Sequence, residues 1–232
     1  MTYVMADLHG CYDQFLQMLE KIEFTDQDML FVLGDIIDRG EDGIELLNEM
    51  MLRVNVIPLL GNHEYMAYRV LKELNVEVTE ENHNSHLDAE TVRAYHEWVG
   101  DGGMPTAESF SKLDAEEKEA VLEYLEEFEL YEELSVGGRE FLLVHSVPED
   151  YDDSRDLSEY NAVEVLFGRC DYTKPCTEDR ILVTGHTPTF AIGEEWRGKI
   201  YRGNNHIGLD CGAVYGERLG CICLDTLEEF YV

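Results

Sequence analysis

From Met1 to Asn75, short apolar runs alternate with residues at helical spacing, and each apolar run stops at a polar turn. Thr2-Tyr3-Val4-Met5-Ala6 predicts a buried strand ending at Asp7-Leu8-His9-Gly10. Phe15, Leu16, Leu19 and Ile22 then recur with helical periodicity, and Asp13 is placed to cap that helix. Met29 to Leu33 predicts a second strand, which ends at Gly34-Asp35-Ile36-Ile37-Asp38-Arg39-Gly40. A helix over Glu41 to Met51 carries Ile44, Leu47, Met50 and Met51 on one side. Val54 to Leu60 gives a third strand, ending at Gly61-Asn62-His63-Glu64 and followed by a helix holding Tyr65, Met66, Tyr68, Val70 and Leu71. Three repeats of strand, polar turn and helix predict an α/β layer with a largely parallel sheet. In such sheets ligands sit off the carboxyl ends of the strands, where all three polar turns lie.

Between Asn75 and Leu130 the strand signals vanish and acidic residues dominate. The pattern predicts a helical insertion or cap over about 75–130, with two or three amphipathic helices. Glu116 to Leu130 is the clearest, with Ala120, Val121, Tyr124, Leu125 and Phe128 on one face. That apolar stripe needs a surface to pack on, so residues 1–232 read as a single domain. Trp98-Val99-Gly100-Asp101-Gly102-Gly103 interrupts the insertion, and His83, His86 and His96 read as scattered surface histidines rather than a second metal site. Beyond Tyr131, strands over Glu132–Val136 and Glu140–Val144 flank the hairpin signal Gly137-Gly138, and the second ends at His145-Ser146. Tyr160 to Phe167 predicts a short helix, and Ile181 to Val183 a strand ending at Thr184-Gly185-His186-Thr187-Pro188. Further strands are predicted at Lys199–Tyr201, Ile207–Leu209, Gly220–Leu224 and Leu227–Tyr231.

With 44% apolar and 29% charged residues, the chain has the composition of an ordinary globular protein. Its charge is unusual: 17 Lys and Arg against 50 Asp and Glu give −33. Such a field repels nucleic acid and anionic lipid, so neither is an expected partner. Six cysteines lack framework spacing and no Cys-x-x-Cys pattern occurs, so reduced thiols are expected, with Cys221 and Cys223 on one face of a strand. No signal segment or apolar run of membrane-spanning length is present, which makes a cytoplasmic location the expectation.

Five strand ends carry Asp7 with His9, Asp35 with Asp38, Asn62 with His63, His145, and His186. Any one has a structural explanation; five in succession suit a pair of metal ions. Mixed oxygen and imidazole donors favour Mn, Fe or Zn over the all-oxygen cages of Ca and Mg. Asp7 and His9 can hold one ion, Asn62, His145 and His186 another, and Asp35 can bridge the two.

These blocks resemble the phosphoprotein-phosphatase branch of the calcineurin-like metallophosphoesterases. The likeness is greatest to small bacterial and phage serine/threonine phosphatases, in which a Trp followed by Asn-Gly-Gly corresponds to Trp98 with Asp101-Gly102-Gly103. The resemblance implies a four-layer α/β/β/α sandwich. It also implies a first metal on Asp7, His9 and Asp35, and a second on Asp35, Asn62, His145 and His186. Two divalent ions, expected to be Mn2+ with Fe or Zn as alternatives, would lower the pKa of a water for in-line attack on phosphorus. His63 then protonates the leaving group, Asp38 orients His63, and Arg39 grips the phosphate. Of Arg155, Arg169 and Arg180, which lie between the last two metal histidines, Arg169 matches the second phosphate-binding arginine. Ser146-Val147-Pro148 and Asp101 depart from the family pattern and bear on specificity. The expected function is a phosphomonoesterase acting on phosphorylated protein or peptide. The alternatives are a dinucleoside polyphosphate hydrolase, against which Asp38 speaks, and an inactive binding protein on the same fold.

Overall fold

The computed structural model describes residues 1–76 and 87–232, so His83 and His86 lie outside the described residues. In chain order the first elements are β1 (Thr2–Met5), α1 (Tyr12–Lys21), β2 (Met29–Leu33), α2 (Gly43–Met51), β3 (Val56–Leu59) and α3 (Asn62–Leu74). The insertion contributes α4 (Ala89–Trp98), a wide helical turn over Val99–Gly103, α5 (Met104–Lys112) and α6 (Ala115–Glu126). Then follow β4 (Tyr131–Val136), β5 (Arg139–Val144), α7 (Ala162–Phe167), β6 (Ile181–Thr184) and α8 (Thr189–Ile192). The last strands are β7 (Tyr201–Gly203), β8 (His206–Gly208), β9 (Gly220–Cys223) and β10 (Glu229–Tyr231).

The strands form two mixed sheets, ordered β10-β9-β1-β2-β3 and β4-β5-β6-β8-β7. In the first, β1, β2 and β3 are parallel, and β9 and β10 add antiparallel on the free edge of β1. In the second, β5, β6 and β8 are parallel between antiparallel edges. The layering follows from the two-residue side-chain period of a strand. Tyr3 and Met5 of β1, Leu30 and Val32 of β2, and Cys221 and Cys223 of β9 face the helices. Their neighbours Val4, Phe31, Leu33 and Ile222 face the other sheet, where they meet Phe141, Leu143 and Val183. Leu142, Val144 and Leu182 turn outward to Val165 of α7. The central strands of both sheets are therefore buried on two sides and read as nearly continuous apolar runs, whereas the edge strands β4, β7 and β10 carry polar, partly exposed residues. The α/β/β/α expectation holds.

Several local readings differ: α6 ends at Glu126 rather than Leu130, and β10 begins at Glu229 rather than Leu227. Asp13 does not cap α1; Cys11 occupies the cap position without a side-chain bond, and Asp13 sits in the first turn near the positive end of the helix dipole. The predicted strand at Lys199–Tyr201 begins instead at Tyr201, because Glu194–Trp196 forms a helical turn just before it. The insertion packs by most of its stripe: Val121, Leu125 and Phe128 are buried in the core above the first sheet with Trp98 and Phe110, and Tyr124 packs against it, whereas Ala120 is exposed.

Candidate active site

The strand ends meet because backbone bonds tie their turns together. Asp7 N donates to Gly34 O at 3.2 Å, His9 N to Asp35 O at 2.8 Å, and Gly185 N to His145 O at 3.1 Å. The turn after β2 lies against the start of α3, and at Gly34 (φ 74°) a Cβ would come within 2.5 Å of the Gly61 Cα. Glu64 fastens the same junction. Its buried carboxylate accepts the N–H groups of Asp35, Ile36, Ile37 and Gly61 at 2.8–3.2 Å. Asp7, His9, Asp35, Asp38, Arg39 and His186 all hold left-handed φ values between 44° and 71°. Non-glycine residues resist that conformation, so the turns hold it only because this network over-determines them.

The predicted metal ligands converge. Asn62 Oδ1, His145 Nε2 and His186 Nδ1 lie 2.9–3.1 Å from one another. His145 gives its Nδ1 proton to Leu33 O at 2.8 Å, so its Nε2 presents a bare lone pair. At most one hydrogen, on His186, is left among three acceptor atoms, and a cation would relieve the crowding. Ligands at right angles, about 2.1 Å from one ion, would stand about 3.0 Å apart, which matches. Asp35 Oδ1 is 3.5 Å from His145 Nε2, and its other oxygen is 3.6 Å from His9 Nε2. Asp35 therefore reaches both groups. The His9 ring is likewise anchored, with Nδ1 donating to Ile37 O at 3.0 Å, but its Nε2 accepts from the Arg39 guanidinium at 2.5 Å, a contact that an ion there would replace. Asp7 stands outside both groups, its carboxylate accepting the His186 N–H at 3.0 and 3.1 Å.

Electrostatics separates the histidines. Burial pushes His9 and His186 down to about 3 and lowers His145 as well, so all three are neutral, as metal ligation requires. Burial acts the same way on His63, but the Asp35 charge and the Asp38 hydrogen bond overcome it and raise His63 to about 9. Its Nδ1 is 2.7 Å from Asp38 Oδ2, while its Nε2 is buried without a hydrogen-bond partner. Titratable groups driven apart in this way mark different roles. His63 also lies close to His9 and Asp35, near enough that all three could contact one ion.

One buried carboxylate beside the site escaped the sequence reading. Asp210, just beyond β8, is 5% exposed, and burial followed by the Asp35 charge raises it to about 7. Burial, Asp210 and Asp35 likewise hold Asp7 well above the carboxylate range. Three buried acids together call for positive charge. The signal was present: Leu209-Asp210-Cys211-Gly212 repeats the apolar–Asp–Gly form of the earlier strand ends.

The insertion serves the same site. Trp98, fully buried, donates Nε1–H to Asp38 Oδ2 at 2.7 Å, and Asp38 N donates to Thr106 Oγ1 at 3.0 Å. Arg39 N donates to Gly102 O at 2.9 Å. A Cβ on Gly102 (φ 108°) would lie 2.7 Å from the Arg39 side chain. Asp38 is thus gripped by one residue from the core and two from the insertion. Trp98→Phe deletes a hydrogen bond to a charged acceptor, and denaturant unfolding should register a loss of about 1.5–3 kcal/mol.

Arg39, Arg169, Asp101, Phe167 and Tyr215 surround the mouth of a cleft of about 220 Å3 whose floor includes Asp35, Asn62 and His186. Arg180 is committed elsewhere, to Asp153, Glu133 and Tyr151, and Arg155 stacks on Tyr160. Of the three candidate arginines, only Arg169 lines the cleft. Ser146 Oγ donates to Gly168 O at 2.6 Å and so fixes the residue before that arginine. Asp101 stands 3.5 Å from Arg39 and 3.6 Å from His63 Nε2, adding a negative charge at the mouth.

Comparison with known proteins places this geometry. The family described as calcineurin-like phosphoesterase matches residues 2–208. A symmetrical bis(5′-nucleosyl)-tetraphosphatase of Erwinia tasmaniensis is 30% identical over 100 residues, 42% of this chain and 36% of that protein. The chain therefore spans about a third of that relative's length. Among solved structures, a provisionally named diadenosine tetraphosphatase superposes with a TM-score of 0.63 at 16% identity, covering 100% of this chain and 92% of its own. A protein serine/threonine phosphatase from Saccharomyces cerevisiae superposes with a TM-score of 0.55 at 13% identity, covering 95% and 71%. At these identities the two structures establish likeness of fold.

Proposed function

Because the chain belongs to the calcineurin-like phosphoesterase family, we propose that it is a dimetal phosphoesterase whose substrate is a dinucleoside polyphosphate, cleaved within its phosphate bridge. The observation that carries the substrate is the pairing of two arginines with two exposed aromatic rings, Phe167 and Tyr215, around one cleft. Guanidinium groups grip phosphates bidentately, and exposed rings offer stacking faces for nucleobases. The local sequence likeness to a symmetrical tetraphosphatase supports the same reading.

Asp7, His9 and Asp35 would hold one ion, and Asp35, Asn62, His145 and His186 the other. When bound, the two ions would polarise the phosphoryl oxygens and lower the pKa of a water nucleophile. The remaining work falls to side chains. Arg39 and Arg169 bind the phosphates flanking the reacting one. His63, kept charged by Asp38, gives its Nε2 proton to the departing oxygen. Glu64 keeps Asp35 and His63 in register by holding the backbone of both turns.

A second reading, hydrolysis of phosphoserine, phosphothreonine or phosphotyrosine in proteins, rests on the Asp38–His63 pair. A strongly supported acid matters most when the leaving group is a basic alkoxide. Manganese-loaded protein assayed in parallel on diadenosine tetraphosphate, a phosphopeptide and p-nitrophenyl phosphate separates the readings. The highest kcat/KM is expected on the dinucleotide, with ADP as the nucleotide product. A tenfold preference for the phosphopeptide moves the assignment to the second reading. Hydrolysis of none removes both.

A further inference from the structure

Away from the cleft, the loop after α7 and the start of β8 bring together Cys170, Cys176 and His206. Both sulfurs and one imidazole nitrogen lie within 4.8 Å of one another. All six cysteines of the chain are free thiols. His206 is 3% exposed. Its Nε2 lies 2.8 Å from Thr184 Oγ1, whereas its Nδ1 is buried with no partner. The ring is clamped as well, stacked on Tyr172 at 4.6 Å and 11°.

An orphaned ring nitrogen on a buried imidazole costs stability unless a hydrogen-bond partner or a cation meets it. From this geometry we propose that Cys170, Cys176 and His206 form a zinc site, distinct from the dimetal centre, with three protein ligands and a fourth position open to water.

The chemistry of the donors supports the choice of ion. Two thiolates and an imidazole are the soft and borderline donors that select zinc over manganese, magnesium or calcium. Ligating histidines typically anchor the other ring nitrogen on a neighbour, as Thr184 does here. Burial lowers His206 to about 3, leaving it neutral; the Cys170 thiol donates to Cys176 and holds it down to about 7, while that same bond and burial raise Cys170 itself, so its proton is the one an ion must displace. Ligation of this kind displaces thiol protons, so affinity should rise with pH.

The placement gives the site a purpose. Cys170 directly follows Arg169 at the cleft mouth. Tyr172 O accepts from Tyr201 and Asn204, and Asn205 Nδ2 reaches Thr177 O and Glu178 O. A zinc ion would add a cross-link from the second sheet to this loop and fix the segment that carries the arginine.

Cobalt(II) reports on it, because thiolate ligation produces a near-ultraviolet charge-transfer band that oxygen and imidazole ligands do not. Full-length protein carrying Asp35→Asn, to silence the dimetal centre, is titrated with Co2+ under reducing conditions. The band should appear, saturate at a single equivalent, and be bleached by Zn2+. It should vanish when Cys176→Ser or Cys170→Ser is added. Peptide-resolved alkylation of the unsubstituted protein gives an independent reading: Zn2+, but not Mg2+, should protect Cys170 and Cys176. Absence of the band, its persistence in both serine variants, or alkylation unaffected by Zn2+ overturns the proposal.

Discussion

His63→Asn is expected to lower turnover of a substrate with a basic leaving group by roughly 10²–10⁴-fold, the usual contribution of a positioned acid. The loss should be largest on a phosphopeptide, whose alkoxide is basic, and much smaller on p-nitrophenyl phosphate and the dinucleotide, whose phenolate and nucleotide phosphate leave as weak bases. Asparagine keeps a polar atom near the position of Nδ1, so the Asp38 carboxylate retains Trp98 and one further partner. The sign of the pH effect follows from the same pair. His63 donates only while protonated, and its pKa is raised to about 9. Activity that depends on this acid is therefore present at neutral pH and falls as pH rises through that value. Cations beside Asp35 would take up part of the charge that raises His63 and bring this alkaline limb down. In His63→Asn the limb should disappear. Metal content decides between acid and ligand, because His63 lies close enough to His9 and Asp35 to serve as either. Elemental analysis is expected to find both ions retained; loss of an ion would make His63 a ligand.

Asp35→Asn is expected to have the other large effect, reducing activity to background. Asp35 stands between His9 and His145 and also accepts the His63 N–H at 3.1 Å. Losing an outer-shell partner typically costs a metal site 10–100-fold in affinity, and losing a shared ligand should exceed that at both positions. Elemental analysis after dialysis should find neither ion of the dimetal centre. In the metal-free fold the change has two opposed effects: an amide relieves the repulsion that Asp7 and Asp210 feel from Asp35, but gives up the attraction of His145, His63 and His9 that holds the Asp35 carboxyl below its usual range despite burial. Thermal unfolding of the stripped variant should therefore stay close to that of the stripped parent. A large drop in its midpoint would mean that the carboxylate is needed for folding rather than for metal.

The parts of this protein legible in the sequence are those written in local pattern. β1 and β2 read as buried strands because both faces are apolar, and the structure divides those faces between two cores. The six ligand candidates were readable because each ends a strand, and the ends of neighbouring strands must meet. What escaped depends on contacts between distant residues. Trp98 reaches Asp38 across 60 positions, and nothing local to either predicts that bond. Glu64 follows His63 in the chain, yet its function is set by the backbone of the turn after β2, 27–29 residues earlier. The same applies to His206, which meets Cys170 and Cys176 only through the pairing of β6 with β8. The protein-phosphatase expectation came from motifs common to several phosphoesterases. Those motifs lie in the turns at the strand ends, whereas Phe167, Arg169 and Tyr215, which gather at the cleft rim, lie outside them.

The central claim is that one carboxylate joins two ions at these strand ends. Anomalous diffraction from crystals grown with Mn2+ tests it directly. Two peaks about 3.5–4 Å apart with Asp35 between them are predicted, one beside Asp7 and His9 and the other beside Asn62, His145 and His186. A single peak, or two peaks that do not share Asp35, would contradict the account.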